Sequence, residues 1–180
     1  TIVENSFNIH QDGPRLVFRE EENPRAKLMA CARNDKLFTD GSDQAQLSKQ
    51  VRYVIGATDE VAKLFRVIAL PKSWQTDPWS TLDEAEQPER WDERLPILVL
   101  PEEPDNLAAT LGRWLKDHLQ KRRNTIRFLL PRSGSLNAHQ DRDLLILARA
   151  EMKAQEWSGQ NPEYKKLHTE FQSALRDMLK

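Results

Sequence analysis

The densest group of side chains able to do chemistry surrounds one short apolar run. Lys121, Arg122 and Arg123 precede Asn124-Thr125-Ile126-Arg127-Phe128-Leu129-Leu130-Pro131, and Arg132-Ser133-Gly134-Ser135-Leu136-Asn137 follows it. A guanidinium ahead of a Gly/Ser loop that leads into a helix suits phosphate or carboxylate, because loop and helix N-terminus add backbone donors. Lys121, Arg122, Arg123, Arg132 and Ser133 are therefore the candidates for phosphate or nucleic-acid contact. The plainer account is a solvated charge run and a surface loop. Arg127 lies inside the apolar run, where a buried guanidinium needs a carboxylate, so we expect it in a structural ion pair. A different chemistry, a metal-dependent hydrolase or nuclease on Glu102, Glu103 and Asp141, requires those carboxylates to converge on one ion.

Other chemistries lack their spacing. There is no G-x-x-x-x-G-K-[ST] phosphate loop, and the six glycines form no G-x-G-x-x-G. No G-x-S-x-G is present, since Ser133-Gly134-Ser135 has neither the frame nor a His-Asp pair. His10, His118, His139 and His168 are scattered and Cys31 is alone, which excludes zinc-ligand spacing. No catalytic residue and no metal ligand is assigned, and no cofactor is expected on this chain itself. Glu20-Glu21-Glu22 after Leu16-Val17-Phe18 has the look of a strand ending in metal-binding acids. Without a phosphate loop it reads better as negative charge at a helix start.

The formal net charge is −1, so no global field draws nucleic acid and any such contact must be a local patch. A single cysteine rules out an internal disulfide framework and fits a reducing compartment. No apolar stretch approaches the ~20 residues of a membrane helix, and no signal peptide is visible. We expect a cytoplasmic protein without membrane contact. The chain opens on Thr1 and its last amphipathic pattern runs into Lys180, from which we expect a piece of a longer protein.

The elements that would position these residues follow from three apolar runs, each stopped by proline: Val67-Ile68-Ala69-Leu70-Pro71, Ile97-Leu98-Val99-Leu100-Pro101 and the run ending at Pro131. The prolines recur at residues 71, 101 and 131, an interval that suits the ~30 residues of a βαβ unit. Around them, Asn23-Pro24 and Asn161-Pro162 are helix starts with Asn as cap and Pro in the first turn. Leu47, Val51, Val54 and Ile55 share one helix face, and Gly56 stands where a left-handed C-terminal residue belongs. Ser80 is placed to cap a short helix through Leu82 to Glu86. Leu107, Leu111, Leu115 and Leu119 recur every fourth residue, a narrow stripe for a helix against a sheet. A further helix spans about Asp141 to Trp157, with Leu144, Leu145, Ala148 and Met152 on its buried side. Tyr164, Leu167, Phe171, Ala174 or Leu175, and Met178 make a single seam whose natural partner is another helix. The segment Lys72 to Leu95 holds Trp74, Trp79 and Trp91 among many acids. It reads as an irregular crossover pinned by tryptophans, or else as an aromatic platform for bases or a peptide.

Several phrases together resemble one family: Arg15-Leu16-Val17-Phe18-Arg19-Glu20-Glu21-Glu22-Asn23-Pro24-Arg25-Ala26-Lys27-Leu28, Ala32-Arg33-Asn34-Asp35-Lys36-Leu37-Phe38, Arg52-Tyr53-Val54-Ile55-Gly56, Asp77-Pro78-Trp79 and Arg123-Asn124-Thr125-Ile126-Arg127-Phe128-Leu129-Leu130-Pro131. The resemblance is to large bacterial AAA-type P-loop ATPases that share a domain of unknown function and occur in anti-phage defence gene clusters. It implies an internal or C-terminal portion of such a protein, with ATP and Mg held by the parent's own upstream phosphate loop. The partners it implies are the remainder of that ATPase, and DNA or a defence-system protein. The strand ending at Pro131 would take the place of a sensor strand, although Leu130-Pro131 lacks the polar end such strands carry.

The expectation is then an α/β fold, three-layer, with a mainly parallel sheet of about three to five strands, helices on both faces and a C-terminal amphipathic helix. Residues 1–160 would form the α/β domain, with 1–14 an irregular lead-in, and 161–180 the terminal helix. Functionally, a non-catalytic fragment of a defence-associated ATPase would couple nucleotide state to a partner through the C-terminal seam and Arg132. The alternatives are a nucleic-acid-contacting module using the basic cluster at 121–132, and the metal-dependent hydrolase or nuclease.

Overall fold

The computed structural model describes residues 6–20, 22–56, 58–135 and 137–180. The first five residues of the expected lead-in, the middle acid Glu21 and the loop residue Leu136 lie outside the described residues. The chain divides into two compact units, Thr1–Gln46 with Arg142–Lys180, and Leu47–Asp141. Neither boundary coincides with the one expected near residue 160. The architecture is mixed α/β, with a parallel three-stranded sheet, an antiparallel hairpin and six α-helices among the described residues.

The first unit opens with a hairpin, β1 (Ile9–Asp12) and β2 (Arg15–Phe18), in the register Ile9↔Phe18 to Asp12↔Arg15. Its two-residue loop is Gly13-Pro14, with Gly13 at φ +59°, the left-handed position that a tight hairpin turn demands. The lead-in expected to be irregular therefore contains a strand. Helix α1 (Pro24–Ala32) starts as anticipated, the Asn23 side chain accepting from the Arg25 and Ala26 N–H groups. A 3-10 turn follows at Asp35–Leu37. Helix α2 (Ser42–Ile55) begins after Asp40, whose carboxylate accepts the Ser42 N–H at 3.1 Å. The unit closes with α5 (Arg142–Trp157) and α6 (Pro162–Met178). Leu28, Met29 and Ala32 of α1, Ala150 and Ala154 of α5, and Tyr164, Leu167 and Phe171 of α6 form one core. The two alanines, one turn apart, leave room for the larger side chains opposite. The α6 seam thus finds its helical partners inside this unit, and each large apolar side chain in it contributes about 1.5–3 kcal/mol by burial.

The second unit takes the rest of α2, then α3 (Asp59–Leu64), capped by the Thr58 hydroxyl, which accepts the Val61 N–H. Helix α3 was not anticipated. It runs directly into β3 (Phe65–Ala69), which pairs in parallel with β4 (Leu95–Val99), and β4 in turn with β5 (Arg127–Leu129). The three proline-terminated runs lie side by side and point the same way. Ile68, Leu98 and Phe128 are in register on one face. Trp74 and Trp91 from the β3–β4 connection and Trp114 from α4 (Leu107–His118) pack into the same core. On the opposite face, Val67 and Ala69 are buried, Ile97 and Val99 are half-buried, and Leu129 is 42% exposed.

Three local expectations are corrected. Gly56 is not left-handed. A Cβ there would stand 3.2 Å from the Arg52 carbonyl, the tight contact and the one the Gly56 N–H itself bonds, and at an ordinary 3.8 Å from Val67 Cγ2 of β3. Within α4 the buried anchor is Trp114, whereas Leu111 and Leu115 are partly buried and Leu119 has already left the helix in extended backbone. In place of a helix through Leu82 to Glu86 there are two 3-10 turns, Glu84–Glu86 and Pro88–Arg90.

Candidate functional site

In an open parallel sheet, ligands bind beyond the C-terminal ends of the strands, so that edge of the second unit is the place to look. All three strands end in Leu-Pro. Leu70 and Leu100 are 1% and 2% exposed, so they close the edge with apolar side chains. Beyond them, Lys72, Glu103, Arg132, Ser133 and Ser135 are exposed. Arg132 opens a turn in which the Ser135 N–H donates to its carbonyl at 2.9 Å and Gly134 has φ +80°. Among the described residues, no hydrogen bond or ion pair joins these side chains.

The organised residue here is Asn137, which sequence reasoning passed over. Its Nδ2 donates to Glu102 Oε2 at 2.8 Å, and its Oδ1 accepts the His139 N–H at 2.9 Å. The Ala138 N–H donates to the Pro101 carbonyl at 3.3 Å. Asn137 is buried and ties the loop after β5 to the loop after β4. The only available signal was an Asn two residues ahead of a potential donor, the pattern of an Asx turn. Glu102 is thereby committed to a structural bond. Among the described residues no group of three His, Cys, Asp or Glu side chains is placed to hold a metal, so Glu102, Glu103 and Asp141 do not converge.

The basic residues on the other side of β5 are mostly engaged with backbone. Arg122 sits at φ +64° and donates to the carbonyls of Trp91 (3.3 Å) and Asp92. Arg123 donates from Nε to the Leu119 carbonyl at 2.6 Å and from Nη2 to that of Lys116 at 3.3 Å, satisfying the last carbonyls of α4. Lys121 is exposed. Arg127 departs from expectation. It opens β5 instead of lying inside it, is exposed, and donates to the Ile126 carbonyl at 3.1 Å. Among the described residues it has no carboxylate partner, because an exposed guanidinium keeps its hydration and needs none.

Nearby, Asp92 gathers two guanidinium groups, Arg66 Nη2 at 2.7 Å and Arg94 Nη2 at 2.8 Å. Their hydrogen bonds, Arg94's first, hold its carboxyl well below the usual carboxylate range. The knot locks the segment ahead of β4 onto the start of β3. The tryptophans are equally structural. Trp114 Nε1 donates to the Trp74 carbonyl at 2.6 Å and Trp91 Nε1 to that of Glu86 at 2.7 Å. Trp79 meets Trp91 and Trp114 edge-on at 5.8 and 5.6 Å. With Trp74 and Trp91 buried, the aromatic-platform reading gives way to the pinned crossover.

Sequence reasoning also missed two buried charges of the first unit, Arg149 and Glu151, which flank Ala150 on α5. Arg149 Nε donates to Asp43 at 2.7 Å, its Nη1 reaches Asp35 and the Ala32 carbonyl, and the guanidinium lies 4.8 Å from the Phe38 ring centroid. Glu151 is 1% exposed and accepts from Gln46 and Gln172. His168 Nδ1 stands 3.2 Å from its carbonyl and 3.5 Å from its carboxylate. Asp43, Asp35, the Ala32 carbonyl, Gln46, Gln172 and His168 all belong to this unit, so the two charges brace its elements against one another.

No protein-family model, curated protein or solved structure matches the chain. The geometry therefore carries the functional argument. Among the described residues it offers no converging acid, base or nucleophile at the sheet edge, and two exposed cations there, Lys72 and Arg132, the second ahead of a hydroxyl-bearing turn. No helix among the described residues is long and apolar enough to cross a membrane.

Proposed function

We propose that this chain is a non-catalytic part of a larger ATPase of the defence-associated group it resembles, and that it couples nucleotide state to a partner. The observation that carries this is the closure of the sheet's C-terminal edge by Leu-Pro at Pro71, Pro101 and Pro131, with Leu70 and Leu100 buried. A strand that read or hydrolysed a nucleotide would end in a polar side chain at that place. ATP and Mg are accordingly assigned to the parent, and the chain's own partners are the remainder of that protein together with DNA or a defence-system protein. In the same reading the parallel sheet is the middle of three layers. Trp74, Trp91 and Trp114 cover one face, and the approach of Gly56 to Val67 supports chain over the other. Of the α6 seam, expected to share the coupling with Arg132, Tyr164, Leu167, Phe171 and Leu175 are buried and Met178 at its end is 52% exposed, which leaves Arg132 as the contact on the sheet.

Calorimetry of the 180-residue chain with Mg-ATP tests the catalytic half, with no micromolar binding expected. In the parent, Arg132→Glu should alter the rate of ATP turnover with ATP affinity unchanged. Micromolar binding by the chain alone, or a parent indifferent to Arg132→Glu, overturns the reading.

A further inference from the structure

The hairpin of the first unit has one satisfied edge and one open edge. The Arg19 N–H donates to the Asn8 carbonyl at 3.0 Å, and with the register Ile9↔Phe18 this makes residues 10/17 and 12/15 the inward-bonding pairs. The N–H and C=O groups of Leu16 and Phe18 therefore point away from β1. On β1 the outward groups of Ile9 are engaged: its carbonyl accepts from Asn23 Nδ2 at 2.6 Å and its N–H donates to the Ser6 carbonyl at 3.4 Å, while the Asn23 N–H donates to the Phe7 carbonyl just ahead of the strand. On the β2 side no further strand pairs among the described residues, where the sheet has two strands. Leu16 is 53% exposed and Phe18 83%, and with a period of two they stand on one face.

Strand edges left open to solvent are normally guarded by a central charge, a proline or a bulge. Here the charges stand at the ends, Arg15 opening β2 as Arg127 opens the three-residue β5, and Leu16-Val17 inside β2 carries none. A two-stranded hairpin is also marginal by itself, so a third strand would complete both its hydrogen bonding and its apolar cover.

We propose that the outer edge of β2 is a docking site for an extended segment of a protein partner, with apolar side chains set over Leu16 and Phe18 and acidic side chains against Arg15 and Arg19. Backbone pairing supplies the affinity in this mode, and alternate side chains supply the selectivity. Arg15 and Arg19 lie on the face opposite Leu16 and Phe18 by the same alternation. Asp12 offsets only one of them, at 3.9 Å from Arg19 across side chains 70% and 51% exposed. Glu20 follows immediately and is exposed, and its carboxylate repels an acidic side chain, which ends the footprint at Arg19. The complementary sequence is thus a short alternation of β-branched apolar and acidic residues. This surface is built from residues of the first unit alone and the nucleotide reading from residues of the second, so the outcome with ATP does not bear on it.

The test is amide hydrogen exchange, followed by NMR, with a synthetic peptide alternating valine and aspartate at about 1 mM, and a control peptide with lysine for aspartate. The aspartate peptide should slow exchange at Leu16 and Phe18 about tenfold and the lysine peptide should not. Leu16→Pro removes an outward donor while sparing the inward ladder, so it should abolish the effect with the melting temperature retained. Arg15→Glu with Arg19→Glu should reverse the preference to the lysine peptide, an outcome that misfolding cannot imitate. Unslowed exchange, an equal response to both peptides, or concentration-dependent dimerisation removed by Leu16→Lys would each overturn the proposal, the last by assigning the edge to a second copy of this chain.

Discussion

Arg149 shows how a single residue can decide a local fold. Its side chain is 8% exposed, and it faces Asp43 (4%) and Asp35 (70%), so removing either member of the buried pair strands the other's charge. Asp43→Ala and Arg149→Met should each cost up to about 3–5 kcal/mol, with the exposed Asp35 sparing part of the first, whereas the double change should cost much less than the two together. Denaturant melts followed by far-ultraviolet circular dichroism give the comparison, and additive costs would remove the cross-brace reading. Two carboxyls also set the acid limit. Hydrogen bonds hold Asp92 (from Arg94, then Arg66) and Asp35 (from Arg149) below their ordinary values. A depressed folded-state value means stability present above the unfolded value, near 3.9, and lost as pH falls below it. Melting temperature should therefore drop below about pH 4, and Asp92→Asn should flatten that drop.

At the scale of elements, caps and close approaches decide where the chain turns. Asn23 caps α1 with Oδ1 and holds β1 with Nδ2, so Asn23→Ala should cost about 1–2 kcal/mol and loosen the hairpin as well as the helix. Amide exchange that quickens in α1 alone would contradict the double role. Gly56→Ala places a methyl against the Arg52 carbonyl and should destabilise by about 1–3 kcal/mol through overpacking, read as a lower denaturation midpoint. These elements differ in how far the sequence announces them. Asn23-Pro24 and Asn161-Pro162 are local signals with local physics, and both helices begin there. The strand β1 has no such signal, because Ile-His-Gln-Asp carries one strongly apolar side chain and pairs only once β2 is folded against it.

For the whole molecule, net charge and the use of its arginines bear on nucleic acid together. With a formal charge of −1 and Arg122 and Arg123 donating to backbone carbonyls, Lys121, Arg127 and Arg132 remain as exposed cations of the cluster. We expect no binding of single- or double-stranded DNA at low salt by fluorescence anisotropy. Salt-sensitive binding that Lys121→Glu with Arg132→Glu abolishes would reinstate the nucleic-acid alternative. Four of the five tryptophans belong to the second unit, so intrinsic fluorescence reports mainly on that core. Trp114→Phe, which deletes a buried hydrogen bond to Trp74, should lower its unfolding midpoint by the equivalent of about 1–2 kcal/mol.

By itself, the sequence determined the three proline-terminated strands, the capped helices and the lack of any local catalytic signature, since each rests on neighbours within a few residues or on a constant interval. The tertiary structure decided which charges are spent. Arg122, Arg123 and Glu102 found backbone or amide partners, Arg127 stayed in solvent, and Arg149 and Glu151 went inside. A charged side chain's role depends on the dielectric around it and on partners as much as a hundred residues away, as with Arg149 and Asp43. Neither is written in local periodicity.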